Sequence, residues 1–381
     1  MTFWGFGNER IAEGLEGAAL FQPATLNPPP RMTIELGLDT FGDITRGDDG
    51  KLVSHAQAIR HVIDEAILAD EVGADFIGVG EHHREDFAIS APEVLLGAIA
   101  GRTRRIKLGS AVTVLSSDDP IRVFQRFSTL DAASSGRAEI ILGRGSFTES
   151  FPLFGFPLAK YEVLFEEKLE LFAAVLHSDR TGDPVSWQGS IRPPLEVKRV
   201  YPTTENGLKV WIGVGGSPES VVRAARYQFP LTLAIIGGDP RRFRSYVTLY
   251  RQALTQLNVP LLPVGVHSPG HIADTDERAR EEMWPAFKGM HDRIGAERGW
   301  PPMTRAQFDS EVERGSLYVG SPETVARKIA NTVRELDVNR FDLKYSAGTL
   351  SHDRMMRSIE LYGRTVMPRV RELLSESPAS T

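Results

Sequence analysis

Glu81, His82 and His83 stand together where a run of strand-forming residues, Phe76-Ile77-Gly78-Val79-Gly80, ends. Imidazole and carboxylate side chains at the end of a buried strand suit proton transfer near neutral pH, and all three are zinc-ligand types. Apolar surroundings shift such pKa values, and shifted groups gather at active sites, although a histidine that caps a helix or fills a hydrogen-bonded gap leaves the same short pattern. Neighbours leaving a strand point in different directions, so Glu81 is expected to anchor the turn. Two further stretches suit an anion. Arg144 is held between Gly143 and Gly145, a fixed positive charge on a pliant backbone. Gly213-Val214-Gly215-Gly216-Ser217-Pro218 leads from an apolar run into a helical one, so backbone N–H groups and a helix N-terminus can face a phosphate. It lacks the lysine of a P-loop, and glycine plus a cap also starts many ordinary helices, just as Arg144 also fits a solvated turn. Ile236-Gly237-Gly238-Asp239-Pro240 is a weaker copy of the same turn. The small and β-branched residues Ser110-Ala111-Val112-Thr113 would let a flat ligand approach the backbone, and they equally suit plain packing.

These side chains need a frame, and composition narrows it. With 381 residues the chain can bury a large core, as two domains or one barrel. A formal net charge of -6 with an isoelectric point near 5.9 argues against nucleic acid or an anionic membrane as partner. The absence of cysteine excludes disulfides, thiolate metal sites and cysteine nucleophiles, so redox chemistry would need a bound cofactor. No apolar run reaches the roughly 18 residues a membrane span requires, and no secretory signal is visible; a cytoplasmic protein is expected. Residues 1–31 are rich in Gly and Pro and end in Asn27-Pro28-Pro29-Pro30-Arg31, which reads as an extension without chemistry. The domain proper is expected over 32–374, with a flexible tail at 375–381.

From Met32 onward one unit recurs: a short apolar run, a polar or Gly-rich turn, then a helical pattern. Strands are predicted over 34–39, 75–80, 106–115, 138–143, 210–214, 231–236, 263–266 and 340–345. Asp119-Pro120 supplies an N-cap and a first-turn proline, and Trp187-Gln188-Gly189 suggests a hairpin in an excursion over 181–194. Helices are expected over 274–298 and 351–374. The stretch 299–320 breaks the pattern and predicts a long loop, a candidate lid over the site. Eight strand–helix units with strands too apolar for a solvated face predict a (β/α)8 barrel, a TIM barrel with small insertions at its C-terminal face, and all the motifs above fall at strand C-termini. The doubly wound alternative would need a dinucleotide-type glycine turn after strand one, and Thr40-Phe41-Gly42-Asp43 is not one.

The order of these motifs resembles bacterial luciferase and the wider luciferase-like flavin monooxygenases. Glu81-His82-His83, Asp119-Pro120, Ser135-Gly136-Arg137, Gly143-Arg144-Gly145, Phe154-Gly155, Gly320-Ser321-Pro322-Glu323 and Val366-Met367-Pro368 run colinearly with that family over 32–374. The resemblance implies a cis peptide near Ala111-Val112 beneath a flavin ring, Arg144, Gly145 and the Gly215-Gly216-Ser217 turn at the FMN phosphate, and His82 as the catalytic residue at the ring's reacting edge. It further implies FMN reduced by a separate flavin reductase, O2 and a small organic substrate, oxygenation through a flavin hydroperoxide, and a possible homodimer. A deazaflavin-dependent oxidoreductase and a non-catalytic flavin-binding relative share the same features. A metal-dependent hydrolase would need ligands at other strand ends, where His267 is the only obvious histidine.

Overall fold

The computed structural model describes residues 34–47 and 49–376. Its eight principal strands are β1 (Glu35–Thr40), β2 (Phe76–Val79), β3 (Lys107–Ser110), β4 (Ala138–Gly143), β5 (Lys209–Val214), β6 (Leu231–Ala234), β7 (Val264–Ile272) and β8 (Arg340–Lys344). Each pairs in parallel with the next, and β8 closes on β1, so the sheet has no free edge. The (β/α)8 barrel expected from the repeating unit is the observed fold. The extension expected over 1–31 lies outside the described residues, as does the tail beyond Glu376.

Alternation along the strands sorts two cores. Leu36 and Leu38, Ile77 and Val79, Ile140 and Leu142, Val210 and Ile212, Phe341 and Leu343 all join the cluster that packs the barrel against its helices. Residues on the opposite face of the same strands, Phe76, Ile141 and Trp211, form a separate interior cluster with Ala111 and Val112. Charge also lies inside: Arg340 on β8 binds Glu139 on β4 at 2.6 Å and Asp342 at 2.9 Å, with its guanidinium 3.5 Å from the Phe76 ring centroid. Helices close the outside by presenting apolar stripes; Pro322–Leu336 buries Val325, Ile329, Val333 and Leu336, each contributing about 1.5–3 kcal/mol. Helix starts follow their caps, with Asp119 accepting from the Ile121 and Arg122 N–H groups as its sequence suggests.

Three expectations need correction. Stretch 299–320 is no loop: Arg305–Arg314 is a helix opened by a Thr304–Gln307 capping box, and Tyr318–Gly320 is a strand beside β7. Only two apolar residues of that helix, Phe308 and Val312, are buried, too few to register as periodicity, yet they anchor it in a second core with Met283, Phe287 and Leu317. This segment is packed structure and not a lid. Strand β7 runs six residues past the expected Val266, because His267-Ser268-Pro269-Gly270-His271 lacks strand composition and is held instead by β8 and by the Tyr318–Gly320 strand. The last helix is interrupted by a π turn at Tyr362–Val366, just before Pro368, whose missing N–H would leave a regular ladder unsatisfied. The predicted hairpin is present as Val185–Trp187 against Leu195–Val197.

Candidate active site

Beyond β2 the chain turns at Glu81, and the turn is held by that carboxylate. It accepts from the Val114 N–H at 2.8 Å and meets His83 Nε2 at 2.9 Å, which ties the β2 turn to the segment after β3. Glu81 is thus an anchor, as expected. The His82 ring sits in an aromatic box, 4.6 Å from the Phe41 centroid, 4.5 Å from Phe87 and 5.2 Å from Phe147. Burial pushes its pKa down to about 3, with Asp43 pulling upward and Lys344 adding to the depression. Its surroundings thus favour the neutral imidazole, which can both donate and accept a hydrogen bond. The box escaped sequence reading because its three rings come from three separate loops.

A helix roofs this box. Arg84 joins Asp86 at 3.0 Å, Glu297 at 2.9 Å and Glu149, while Arg293 reaches Asp86 at 2.9 Å. Arg298 lies 4.9 Å from the Phe147 centroid. The C-terminal end of helix Asp276–Arg298 thereby clasps the loops after β2 and β4 through paired opposite charges.

The peptide bond between Ala111 and Val112 is cis, where the resemblance put it. The Val112 side chain lies over the two strands that follow β3, and the room comes from their glycines: a Cβ at Gly143 on β4 would lie 2.5 Å from Val112 Cγ2, and one at Gly213 on β5 3.1 Å from Cγ1. Gly143→Ala should therefore overpack this floor and cost about 1–3 kcal/mol in a denaturation experiment, with Val112→Ala in the same chain restoring most of it. Equal stability of Gly143→Ala and the parent would show that Val112 yields freely.

The anion candidates do converge. Ser217 caps helix Pro218–Arg226, accepting from the Ser220 N–H, and Tyr246 Oη donates to the Gly216 carbonyl at 2.8 Å. Gly216 has φ 124, open to glycine and strained for other residues. Glu219 in the first turn is held below its ordinary pKa chiefly by the Ser217 hydroxyl, with Arg144 and Arg223 adding smaller pulls, and Glu162 pairs with both of those arginines. Arg144 itself pairs with Glu162 and lies 5.5 Å from the Tyr161 ring centroid, while Tyr161 Oη donates to the Gly145 carbonyl at 2.6 Å. Arg223 and Tyr161 were missed in the sequence; Arg223 lies within an amphipathic helical pattern, and only its fold-dependent meeting with Glu162 at 3.5 Å and Glu166 at 2.5 Å reveals it. The Gly237-Gly238 turn is different: Gly238 N–H donates to Glu311 at 3.0 Å, so a carboxylate of the chain already fills that place. Among the described residues no group of three or more histidine, aspartate or glutamate side chains could hold a metal ion. No helix among them is long and apolar enough to cross a membrane.

Residues 40–340 match the luciferase-like monooxygenase family, and the chain belongs to it. It is 33% identical over 307 residues to the N-acetyl-S-alkylcysteine monooxygenase of Bacillus subtilis (strain 168), covering 75% of this chain and 86% of that one. It is 26% identical over 334 residues to the 4-hydroxyprotoasukamycin monooxygenase of Streptomyces nodosus subsp. asukaensis, covering 82% and 86%. Among solved structures, the monooxygenase RslO1 from Streptomyces bottropensis has a TM-score of 0.76 at 22% identity, covering 88% of this chain and 99% of its own. The oxygenating constituent of 3,6-diketocamphane monooxygenase from Pseudomonas putida, solved with FMN, scores 0.71 at 19% identity, covering 89% and 99%. The same fold serves a coenzyme F420 dependent tetrahydromethanopterin reductase from Methanopyrus kandleri, with a TM-score of 0.67 at 18% identity over 89% and 99%. The protein is thus an oxidoreductase of the luciferase-like monooxygenase family, and a flavin or deazaflavin cofactor accords with it.

Proposed function

We propose that the protein is an FMN-dependent monooxygenase that inserts one oxygen atom of O2 into a small organic substrate. The observation that carries this reading is the meeting, at one barrel mouth, of two arginines and a capped helix start with the Ala111-Val112 floor and the boxed His82. The cofactor fits these residues: the Gly215-Gly216-Ser217 backbone offers N–H donors to a phosphate at a helix start, Arg144 and Arg223 offer charge, and the Ser217 hydroxyl, which donates to Glu219 at 2.7 Å, fixes the turn beside them. Gly145, with φ 81, lets the chain pass close beneath Tyr161. Reduced FMN, supplied by a separate reductase, brings the two electrons that activate O2. The chain's own share is orientation and exclusion of water. Ala111 and Val112 support a flat ring, and Phe41, Phe87 and Phe147 keep the mouth dry and favour a compact, largely apolar substrate. His82, neutral, offers one N–H and one lone pair to the reacting groups. In this reading residues 32–374 form the catalytic domain, 1–31 carry no chemistry, and the enzyme works in the cytoplasm as a homo-oligomer.

Arg144→Ala should weaken FMN binding by about 1.5–3 kcal/mol, read as a roughly 10- to 150-fold rise in Kd by fluorescence titration. Glu162→Gln, which releases Arg144 from its carboxylate partner, should tighten it. An unchanged Kd in Arg144→Ala would move the phosphate elsewhere. A deazaflavin is the competing cofactor; it would support substrate-dependent hydride transfer without O2, and parallel titrations with FMN and coenzyme F420 separate the two.

A further inference from the structure

Inside the barrel lies a carboxylate–imidazole pair that the proposed reaction has not yet used. Asp39 on β1 meets His267 Nδ1 on β7 at 2.6 Å, and both residues are buried. The two strands are not neighbours, since β8 runs between them, so the contact is made by side chains reaching across the interior. Asp39 Oδ1 has no hydrogen-bond partner although it is shielded from solvent. A buried carboxylate oxygen left unpaired is costly, and in a native enzyme it calls for a donor that arrives with a ligand or a proton.

The pair's position links it to both parts of the candidate site. A Cβ at Gly78 would lie 3.1 Å from Asp39 Cβ and 2.8 Å from Ala111 Cβ, which sets Asp39 beside the floor. On the other side the His267 ring stacks on Phe41, centroids 6.1 Å apart, and Phe41 packs edge-on to His82 at 4.6 Å. The charged groups around the pair come from β8 and the loop after β1. Asp342 neighbours both members, its carboxyl pushed up to about 7 by burial while Arg340 pulls it down. Above it Lys344, 4.6 Å from the Phe41 centroid, is bound to Asp43 at 3.2 Å.

We propose that Asp39 and His267 form the proton-supplying pair of this enzyme, with His267 delivering a proton to the reacting centre and Asp39 holding its ring. The proposal rests on the FMN-monooxygenase reading, whose stoichiometry requires it. One oxygen atom of O2 joins the substrate; the other takes the hydride equivalent of the anionic reduced flavin together with one proton and leaves as water, with oxidised flavin remaining. His267 gives that proton as imidazolium and regains it from solvent after turnover.

The test has two arms. In the cofactor-free protein, NMR should show the His267 Nδ1 proton held in a hydrogen bond to the Asp39 carboxylate, with its downfield resonance lost in Asp39→Ala. In stopped flow, oxidation of protein-bound reduced FMN by O2 should accelerate as pH falls. His267→Gln, whose amide can still bind Asp39, should keep FMN affinity, slow oxidation about 10²–10⁴-fold and abolish that pH dependence. A His267 Nδ1 resonance that stays in place in Asp39→Ala, or an intact pH profile in His267→Gln, overturns the pair's role and leaves the monooxygenase reading standing. A wild-type protein that binds no FMN overturns that reading, and the pair's role with it.

Discussion

Replacing His82 by alanine is expected to lower product formation about 10²–10³-fold while FMN affinity stays close to that of the parent, the loss typical of removing one preorganised hydrogen-bonding group from a dry site. The ring is enclosed by Phe41, Phe87 and Phe147, and its pKa is pushed down to about 3, so it enters the reaction neutral. A neutral imidazole contributes through directed hydrogen bonds whose strength the apolar box raises. Two consequences separate this account from a titrating base. The rate should show no break attributable to His82 between pH 5 and 8, and His82→Asn, which keeps a donor and an acceptor, should recover part of the loss. The depressed pKa also carries a stability sign: the unfolded chain binds this proton near pH 6.5 and the folded one does not, so its contribution is complete above 6.5 and is lost as pH falls toward 3. Full activity in His82→Ala would move the chemistry out of the aromatic box.

Arg340→Met is expected to destabilise the fold by about 3–5 kcal/mol, because it strands carboxylates that have no solvent to turn to. Arg340 is 1% exposed and its partners Glu139 and Asp342 are 2% and 1% exposed, all within the closed barrel. Burial alone drives the Asp342 carboxyl toward its neutral form, and Arg340 opposes that drift. Removing the guanidinium also removes its contact with the Phe76 face at 3.5 Å. Adding Glu139→Gln and Asp342→Asn to the same chain should return much of the loss, since neutral amides tolerate the dry interior better than unpaired carboxylates. Chemical denaturation of the three variants reads this directly. A wild-type-like midpoint for Arg340→Met alone would mean that water reaches the barrel base.

How much of this was legible beforehand depended on the range of the interactions. Strands such as Ala138–Gly143 and helix starts such as Asp119-Pro120 are local, and composition and capping reveal them within a few residues. The ordering of Glu81, Arg144 and Gly215-Gly216 at strand ends followed once the barrel was inferred. The helix Arg305–Arg314 was lost because its burial rests on two side chains, and the end of β7 because pairing with distant strands overrode the poor strand propensity of Ser268, Pro269 and Gly270. The histidine chemistry was legible only as residue type: that His82 is boxed by rings at 41, 87 and 147, and that His267 finds Asp39 across the barrel, depends on contacts between segments far apart in the chain. Arg223 joins the anion cradle for the same reason.

If this barrel uses reduced FMN and O2 to oxygenate a small molecule, labelled oxygen will appear in the product. Purified protein with photoreduced FMN is mixed with 18O2 and a panel of thioethers, aldehydes, ketones and sulfonates, and products are read by mass spectrometry. One 18O atom is expected in the product of at least one panel member and the second in water, with that product lost in His82→Ala. Absence of 18O from every product, together with substrate-dependent hydride transfer from a reduced deazaflavin, would contradict the monooxygenase reading.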